Sequence, residues 1–257
     1  MGTYSIPVTI ARDPARWTLA EAVRWAVAIG ADVLQLCENL PVPAEDVPAA
    51  EWRTAWRAAQ DADLRLELGT RGIDPDRLAR CAERAAEAGS SFVRLVMDRG
   101  TDEPTVAEAV TRLAPIVAAI APVRVAIENH DRFSTDDLLR IVTDANCAIV
   151  LDTANSLGAL EDLRTVLGGL ATRTVCFHVK DVTVTRVPSQ LGLDVRGAPA
   201  GEGLVDVAGA LTALREANAP LESVIVEHWT PDVADPVRWE QDATVRGLAN
   251  LKRLLSP

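Results

Sequence analysis

The chain of 257 residues is 48% apolar and 25% charged, enough for a large core beneath an ordinary charged surface, which excludes a disordered or fibrous protein. Its formal net charge of −11 and pI near 4.8 disfavour nucleic acid and anionic lipid as partners, because such a surface repels phosphate on average. The opening MGTYSIPVTIARDP has no basic stretch leading into an apolar run, and no window approaches the roughly 18 apolar residues that cross a membrane. A cytoplasmic protein without a membrane partner is therefore expected.

Short apolar runs of β type alternate with segments of helical period along the whole chain, the pattern of a parallel α/β fold. Ser5 to Ile10 is the first candidate strand. Thr18 and Glu21 then have the spacing of a capping box. Asp32 to Cys37 and Leu64 to Leu68 follow as strands. Asp74-Pro75 sets a capping carboxylate before a proline at the first helical position, and Arg77 to Ala88 carries apolar residues three and four apart. Phe92 to Met97 is the next strand. Pro115 interrupts the helical stretch Thr105 to Ala121, so a kink or a split is expected there. Val123 to Glu128 is extended, Ser134 caps a helix over Thr135 to Val142, and Ala148 to Asp152 and Thr174 to Val179 are extended again. Asp181 to Gly203, rich in glycine and proline, reads as a long loop over the functional face. Ser223 to Glu227 completes the strands, and Asp235-Pro236 opens a last helix with apolar spacing over Val245 to Leu255.

Eight strands with intervening helices match the usual length of one (β/α)8 TIM barrel, and no glycine-rich turn of GxGxxG type follows the first run. A single barrel domain over residues 1–257 is predicted. Cys37, Cys81, Cys147 and Cys176 lie far apart without CxxC spacing and read as reduced, buried thiols.

Four consecutive strands, the fifth to the eighth, end in a residue able to bind metal: Glu128, Asp152, His178 and Glu227. In a barrel the C-terminal strand ends form one rim, and neighbouring strands lie about 4.8 Å apart, so these side chains can converge. Singly, each acid reads as a helix cap or a surface ion pair, and the histidine as a hydrogen-bonded core residue. Together, three carboxylates would repel each other unless a cation sat among them. That oxygen-rich set suits one divalent ion, Mn2+ first, with Mg2+, Co2+ or Zn2+ as other occupants.

The segments IENHDRF, LDTANSLG, FHVKD, GEGLVDV and VIVEHW occur in an order that resembles the xylose isomerase-like TIM barrel superfamily of sugar and sugar phosphate isomerases and epimerases. The resemblance covers most of the chain and is more specific in its second half. It implies that Glu128, Asp152, His178 and Glu227 hold one divalent metal. It also implies Glu128 and Glu227 as catalytic acid and base on a hydroxy-ketone that reacts through a metal-stabilised enediolate. Endonucleases of the superfamily use three zinc ions and many histidines. Here the only histidines are His130, His178 and His228, and the position three after Asp152 is Asn155, so that site cannot be assembled.

Lys180, two residues beyond His178 on the same strand face, is a further catalytic candidate, with pairing to Asp181 as its structural alternative. Candidate substrate contacts are His130 beside Glu128, Arg186 and Gln190 in the long loop, and Glu67 and Arg94 in the third and fourth strands. Trp229 offers an apolar wall for a sugar. Gly201 and Gly203 serve tight turns rather than a phosphate site. The leading expectation is an isomerase or epimerase of an unphosphorylated keto sugar. A lyase, whether a decarboxylase of an oxo-sugar acid, a dehydratase or an eliminating deglycosidase, is the rival reading. A non-catalytic sugar-binding barrel is third, and a homodimer is compatible with any of them.

Overall fold

A computed structural model describes residues 1–256. Among these, nine strands form: β1 (Val33–Leu36), β2 (Arg65–Arg71), β3 (Phe92–Val96), β4 (Arg124–Glu128), β5 (Ala148–Asp152), β6 (Thr174–Val179), β7 (Asp181–Arg186), β8 (Leu193–Ala198) and β9 (Ser223–Val226). Strands β1 to β6 and β9 build one seven-stranded parallel sheet in that order, curled into a nearly closed barrel. Around it lie α1 (Pro7–Arg12), α2 (Leu19–Ala28), α3 (Ala49–Asp61), α4 (Pro75–Ala88), α5 (Val106–Ala119), α6 (Thr135–Asp144), α7 (Leu163–Leu170), α8 (Val207–Glu216) and α9 (Pro236–Leu255). None of these helices is long and apolar enough to cross a membrane.

Ser5 to Ile10, expected as the first strand, is not extended: Thr3–Ser5 is a 3-10 turn and α1 begins at Pro7. Proline's fixed φ suits that first helical position. The free N–H groups of Val8 and Thr9 donate to the Glu240 carboxylate of α9 at 2.9 and 2.7 Å, which ties the helix down. The eighth place in the barrel is filled by Met1 and Gly2 instead. Gly2 pairs in parallel with Gln35. Its N–H donates to the Val226 carbonyl at 3.2 Å, and the Gln35 N–H donates to the Met1 carbonyl at 2.9 Å. These few bonds join β9 to β1.

Three further expectations change. Helix α5 runs through Pro115 without a split. Its start carries the complete capping box, formed by Thr105 and Glu108. At Thr18 only half a box forms, because the Glu21 carboxylate pairs with Arg16 and Arg24 instead. Residues 181–203 are not a structure-poor loop: β7 and β8 pair antiparallel as a hairpin. Asp74, Ser134 and Asp235 cap their helices as read, each accepting a backbone N–H three residues on.

Strand β5, Ala-Ile-Val-Leu-Asp, is buried throughout, as a parallel strand covered on both faces must be. One apolar set from the strands meets the surrounding helices. The alternate set, including Val33, Phe92, Ala126, Val150, Cys176 and Ile225, fills the barrel interior. Two residues beyond the last four of these, on the same interior phase, come Glu128, Asp152, His178 and Glu227. The four cysteines are free and buried.

Candidate metal centre

Glu128, Asp152, His178 and Glu227 are all buried, and one ligand atom from each lies within 4.8 Å of the others. Donors about 2.1 Å from a shared ion lie at most about 4.2 Å apart, so a contraction of a few tenths of an ångström would close the set. His178 Nδ1 faces it, 3.5 Å from Glu227 Oε1, 3.6 Å from Glu128 Oε2 and 4.0 Å from Asp152 Oδ2.

Of the four residues, Asp152, His178 and Glu227 keep atoms without an aligned hydrogen bond, whereas both Glu128 oxygens accept from side chains. Asp152 Oδ1 accepts the N–H groups of Ala154 and Asn155 at 2.8 and 2.9 Å. Its Oδ2, both Glu227 oxygens and both His178 ring nitrogens are buried without an aligned hydrogen bond among the described residues. Buried polar atoms are rarely left so. One atom from each residue converges on a common point, with the Lys180 ammonium beside Asp152 Oδ2 and Glu227 Oε2, and the four residues fit a divalent ion.

Two small residues make room. A Cβ on Gly2 would stand 2.8 Å from Glu227 Oε1, and one on Gly69 would stand 3.0 Å from Arg94 Cδ and Cys37 Sγ. The N-terminal segment therefore admits the Glu227 carboxylate, and Gly69 lets Arg94 cross the barrel.

Arg94 Nε donates to Glu128 Oε2 at 2.5 Å, and its Nη1 to Glu38 Oε2 at 3.1 Å. Asn155 Nδ2 donates to the other Glu128 oxygen at 2.7 Å. Lys180 points inward rather than to Asp181. Its Nζ lies 2.8 Å from Asp152 Oδ2, 3.1 Å from Glu227 Oε2 and 3.8 Å from Glu128 Oε1. Thr153 Oγ1 fixes its backbone, donating to the Lys180 carbonyl and accepting its N–H.

Burial opposes charge throughout this cluster, and the neighbours decide the outcome. Burial pushes Asp152 above the usual carboxylate range. For Glu128, Arg94, His178 and Lys180 outweigh burial and hold the carboxyl below it. For Glu227, His178 and Lys180 outweigh burial and hold it well below. Burial also works against the Lys180 ammonium, but Asp152, Glu227 and Glu128 prevail and raise its pKa.

The centre opens on a cavity of about 440 Å3 whose walls include Tyr4, Arg71, His130, His228 and Trp229 as well as Lys180. His130 Nδ1 sits 3.3 Å from Asp131. Arg94 lines the cavity, whereas Glu67, Arg186 and Gln190 do not. Glu67 lies within the barrel and accepts from Gln35 Nε2 and Ser223 Oγ, each at 3.1 Å. Arg186 and Gln190 flank the hairpin tip, exposed, the Arg186 guanidinium reaching the Gln190 carbonyl at 3.4 Å. Gly201 and Gly203 donate their N–H groups to Asp181, which leaves no amide nest for phosphate.

Sequence reasoning passed over Tyr4, Arg71 and His228. Arg71 was within reach of pattern: it follows Glu67 by four on the same strand phase, but β2 was ended at Leu68. His228 follows a ligand directly, and strand alternation would have turned it outward. Tyr4 stands just before the candidate strand Ser5 to Ile10, in a 3-10 turn that no pattern marks.

Residues 23–254 match the family model described as xylose isomerase-like TIM barrel, and the chain belongs to that family. It is 31% identical over 228 residues to a 3-oxo-isoapionate decarboxylase of Pectobacterium atrosepticum, covering 86% of this chain and 81% of that protein. Among solved structures, it resembles the probable 3-DHS dehydratase of petrobactin synthesis from Bacillus anthracis, with TM-score 0.71, 15% identity and coverage of 98% and 97%. A xylose isomerase-like barrel from Mycobacterium smegmatis in complex with magnesium gives TM-score 0.66 at 14% identity, covering 92% and 89%. At such identities the likeness of these structures concerns the fold.

Proposed function

We propose that this protein is a divalent-metal-dependent lyase that removes CO2 from an oxo-sugar acid. The observation that carries this reading is a guanidinium beside the candidate metal centre: Arg71 lines the same cavity as Glu128, Lys180 and Glu227. A cation there, next to a bound ion, suits an acid better than a neutral sugar. The decarboxylase relative supports the same choice.

Glu128, Asp152, His178 and Glu227 would hold the ion, with Mn2+ or Mg2+ best matched to their oxygen-rich set. Bound there, it would polarise the ketone of the acid and carry the negative charge that builds on that oxygen as CO2 leaves. Arg71 faces the same cavity, and its side chain's single hydrogen bond among the described residues is from Nε to Glu38 at 3.2 Å. Its remaining N–H groups would receive the carboxylate. Lys180 keeps its proton while the carboxylates around it are uncompensated. Once their charge is balanced, its ammonium is the proton source for the carbon that loses CO2.

An isomerase or epimerase is the second reading, favoured by Glu128 and Glu227 lining one cavity. It asks both to shuttle protons. Glu128 is ill suited to that, since Arg94 and Asn155 occupy both of its oxygens and weaken it as a base. The test is incubation of the metal-loaded protein with 3-oxo-isoapionate and related oxo acids and keto sugars in D2O. Stoichiometric CO2, abolished by a chelator and by Lys180→Met, is expected. Retention of all carbons with deuterium entering the substrate would establish the isomerase instead.

A further inference from the structure

The hairpin of β7 and β8 is amphipathic, yet its apolar face stands open to solvent. The register sets Val184 opposite Val195 and Arg186 opposite Leu193, and paired residues point to the same side of an antiparallel ribbon. Val184, Leu193 and Val195 therefore share one face, where they are 38, 62 and 42% exposed. Thr183, Thr185, Asp194 and Arg196 make the opposite, polar face, on which Arg196 pairs with Asp194. A two-stranded ribbon has little stability alone, and a contiguous apolar surface left in water marks a contact. At the base of the same apolar face, Val182 lines a groove of about 690 Å3 between α7 and α8. The groove is walled by Leu163 and Leu167 of α7 and by Ala210 and Ala213 of α8, with Leu157 and Leu204 exposed beside them. Arm and groove thus form one continuous apolar patch.

We propose that this patch is a homodimer interface in which the apolar face of each hairpin lies in the α7–α8 groove of a second copy. A projecting arm beside a groove is self-complementary under a two-fold axis, because each copy offers the arm that the other's groove takes. Charge argues for the same occupant. The groove is lined by four acids, Glu161, Asp162, Asp206 and Glu216, against one base, Arg164. Arg186, on the apolar face of the arm, has the Gln190 carbonyl as its one recorded partner among the described residues. Glu161 is held by Thr135, and Asp162 and Asp206 cap α7 and α8. Glu216 has no such role and ends α8, about 15 Å along the helix from the Asp206 cap beside the hairpin base. A two-fold axis across the patch sets the two arms antiparallel, so the outer end of one arm, with Arg186, reaches Glu216 of the other copy. The inference holds whichever reaction the cavity performs.

The test is sedimentation velocity of the full chain over a concentration series. The unmodified protein is expected to sediment as a dimer. Leu193→Glu on the arm and Gly168→Trp in the groove should each weaken association about tenfold or more; a Cβ on Gly168 meets nothing within 4 Å, so the added ring fills the groove without disturbing α7. Thr183→Glu, on the polar face, should change association less than about twofold. Arg186→Glu and Glu216→Arg should each weaken it about three- to fivefold, and the double variant should recover most of that loss. The substituted residues do not line the metal cavity, so circular dichroism and Mg2+ affinity like those of the unmodified protein show that each variant is folded. A protein that stays monomeric at about 100 μM, or a dimer indifferent to Leu193→Glu, would overturn the proposal. So would a dimer lost in Leu193→Glu but kept in Gly168→Trp, since the hairpins would then pair with each other, and so would a double variant no better than the singles.

Discussion

His178 shows at the scale of one residue how ion and proton compete for the centre. Burial disfavours its charge, but Glu227, the Cys176 sulfur and Glu128 outweigh that and raise its pKa well above the ordinary value of 6.5. The imidazolium pairing therefore stabilises the metal-free fold fully below the unfolded pKa, and that contribution is lost as pH rises through the folded one. A metal needs the same nitrogen unprotonated. Binding of Mg2+ or Mn2+ at pH 7 should accordingly release about one proton per ion, with affinity rising about tenfold per pH unit below the folded pKa. Calorimetry in buffers of different ionisation enthalpy reads the proton count directly. An affinity that stays flat between about pH 6 and 8 would remove this account. The four clustered side chains were legible because each is the first polar residue of the interior phase after an apolar run. Asn155, which holds both Glu128 and Lys180, was noted only for not being histidine.

Among elements, the hairpin of β7 and β8 is anchored by one side chain at its base. Asp181 accepts the N–H groups of Val182, Gly201, Gly203 and Val205 at 2.8 to 3.0 Å and is fully buried. Asp181→Ala should destabilise the protein by about 2–4 kcal/mol in urea titration, since four amides lose a charged acceptor. A loss under about 0.5 kcal/mol would mean that the loop is held elsewhere. The tip behaves differently. Replacing residues 187–192 by Asn-Gly should leave metal affinity and Tm near their starting values, because Arg186 and Gln190 do not line the cavity. A marked fall in oxo-acid turnover in that variant, which keeps Arg186, would restore Gln190 to the site. The hairpin was hidden in the sequence because Thr183, Val184, Thr185 and Val195 alternate within a stretch whose glycines and prolines speak for a loop.

Across the whole molecule, the centre draws on four neighbouring strands that span residues 124 to 226, so an ion there would bridge β4, β5, β6 and the end of β9. Anything that binds only the folded state stabilises it by mass action. Mg2+ or Mn2+ at a hundred times its Kd should add about 2.7 kcal/mol, a rise in Tm of about 5–10 °C for a chain of this size, reversed by EDTA. An unchanged Tm across a divalent series would leave the metal reading without support.

The sequence alone determined the class of fold and the four side chains, Glu128, Asp152, His178 and Glu227, that gather at one point. Both depend on local pattern, apolar runs of strand length, helical spacing between them, and a polar residue at the same interior phase of successive strands. Tertiary structure decided how the barrel closes, which loop folds back on itself, and which polar residues share the cavity. Met1 and Gly2 are too short to read as a strand, and their role comes from bonds to Gln35 and Val226. Arg71, Lys180 and His228 line one cavity only because the barrel brings the ends of β2, β6 and β9 together, and no spacing along the chain encodes that distance.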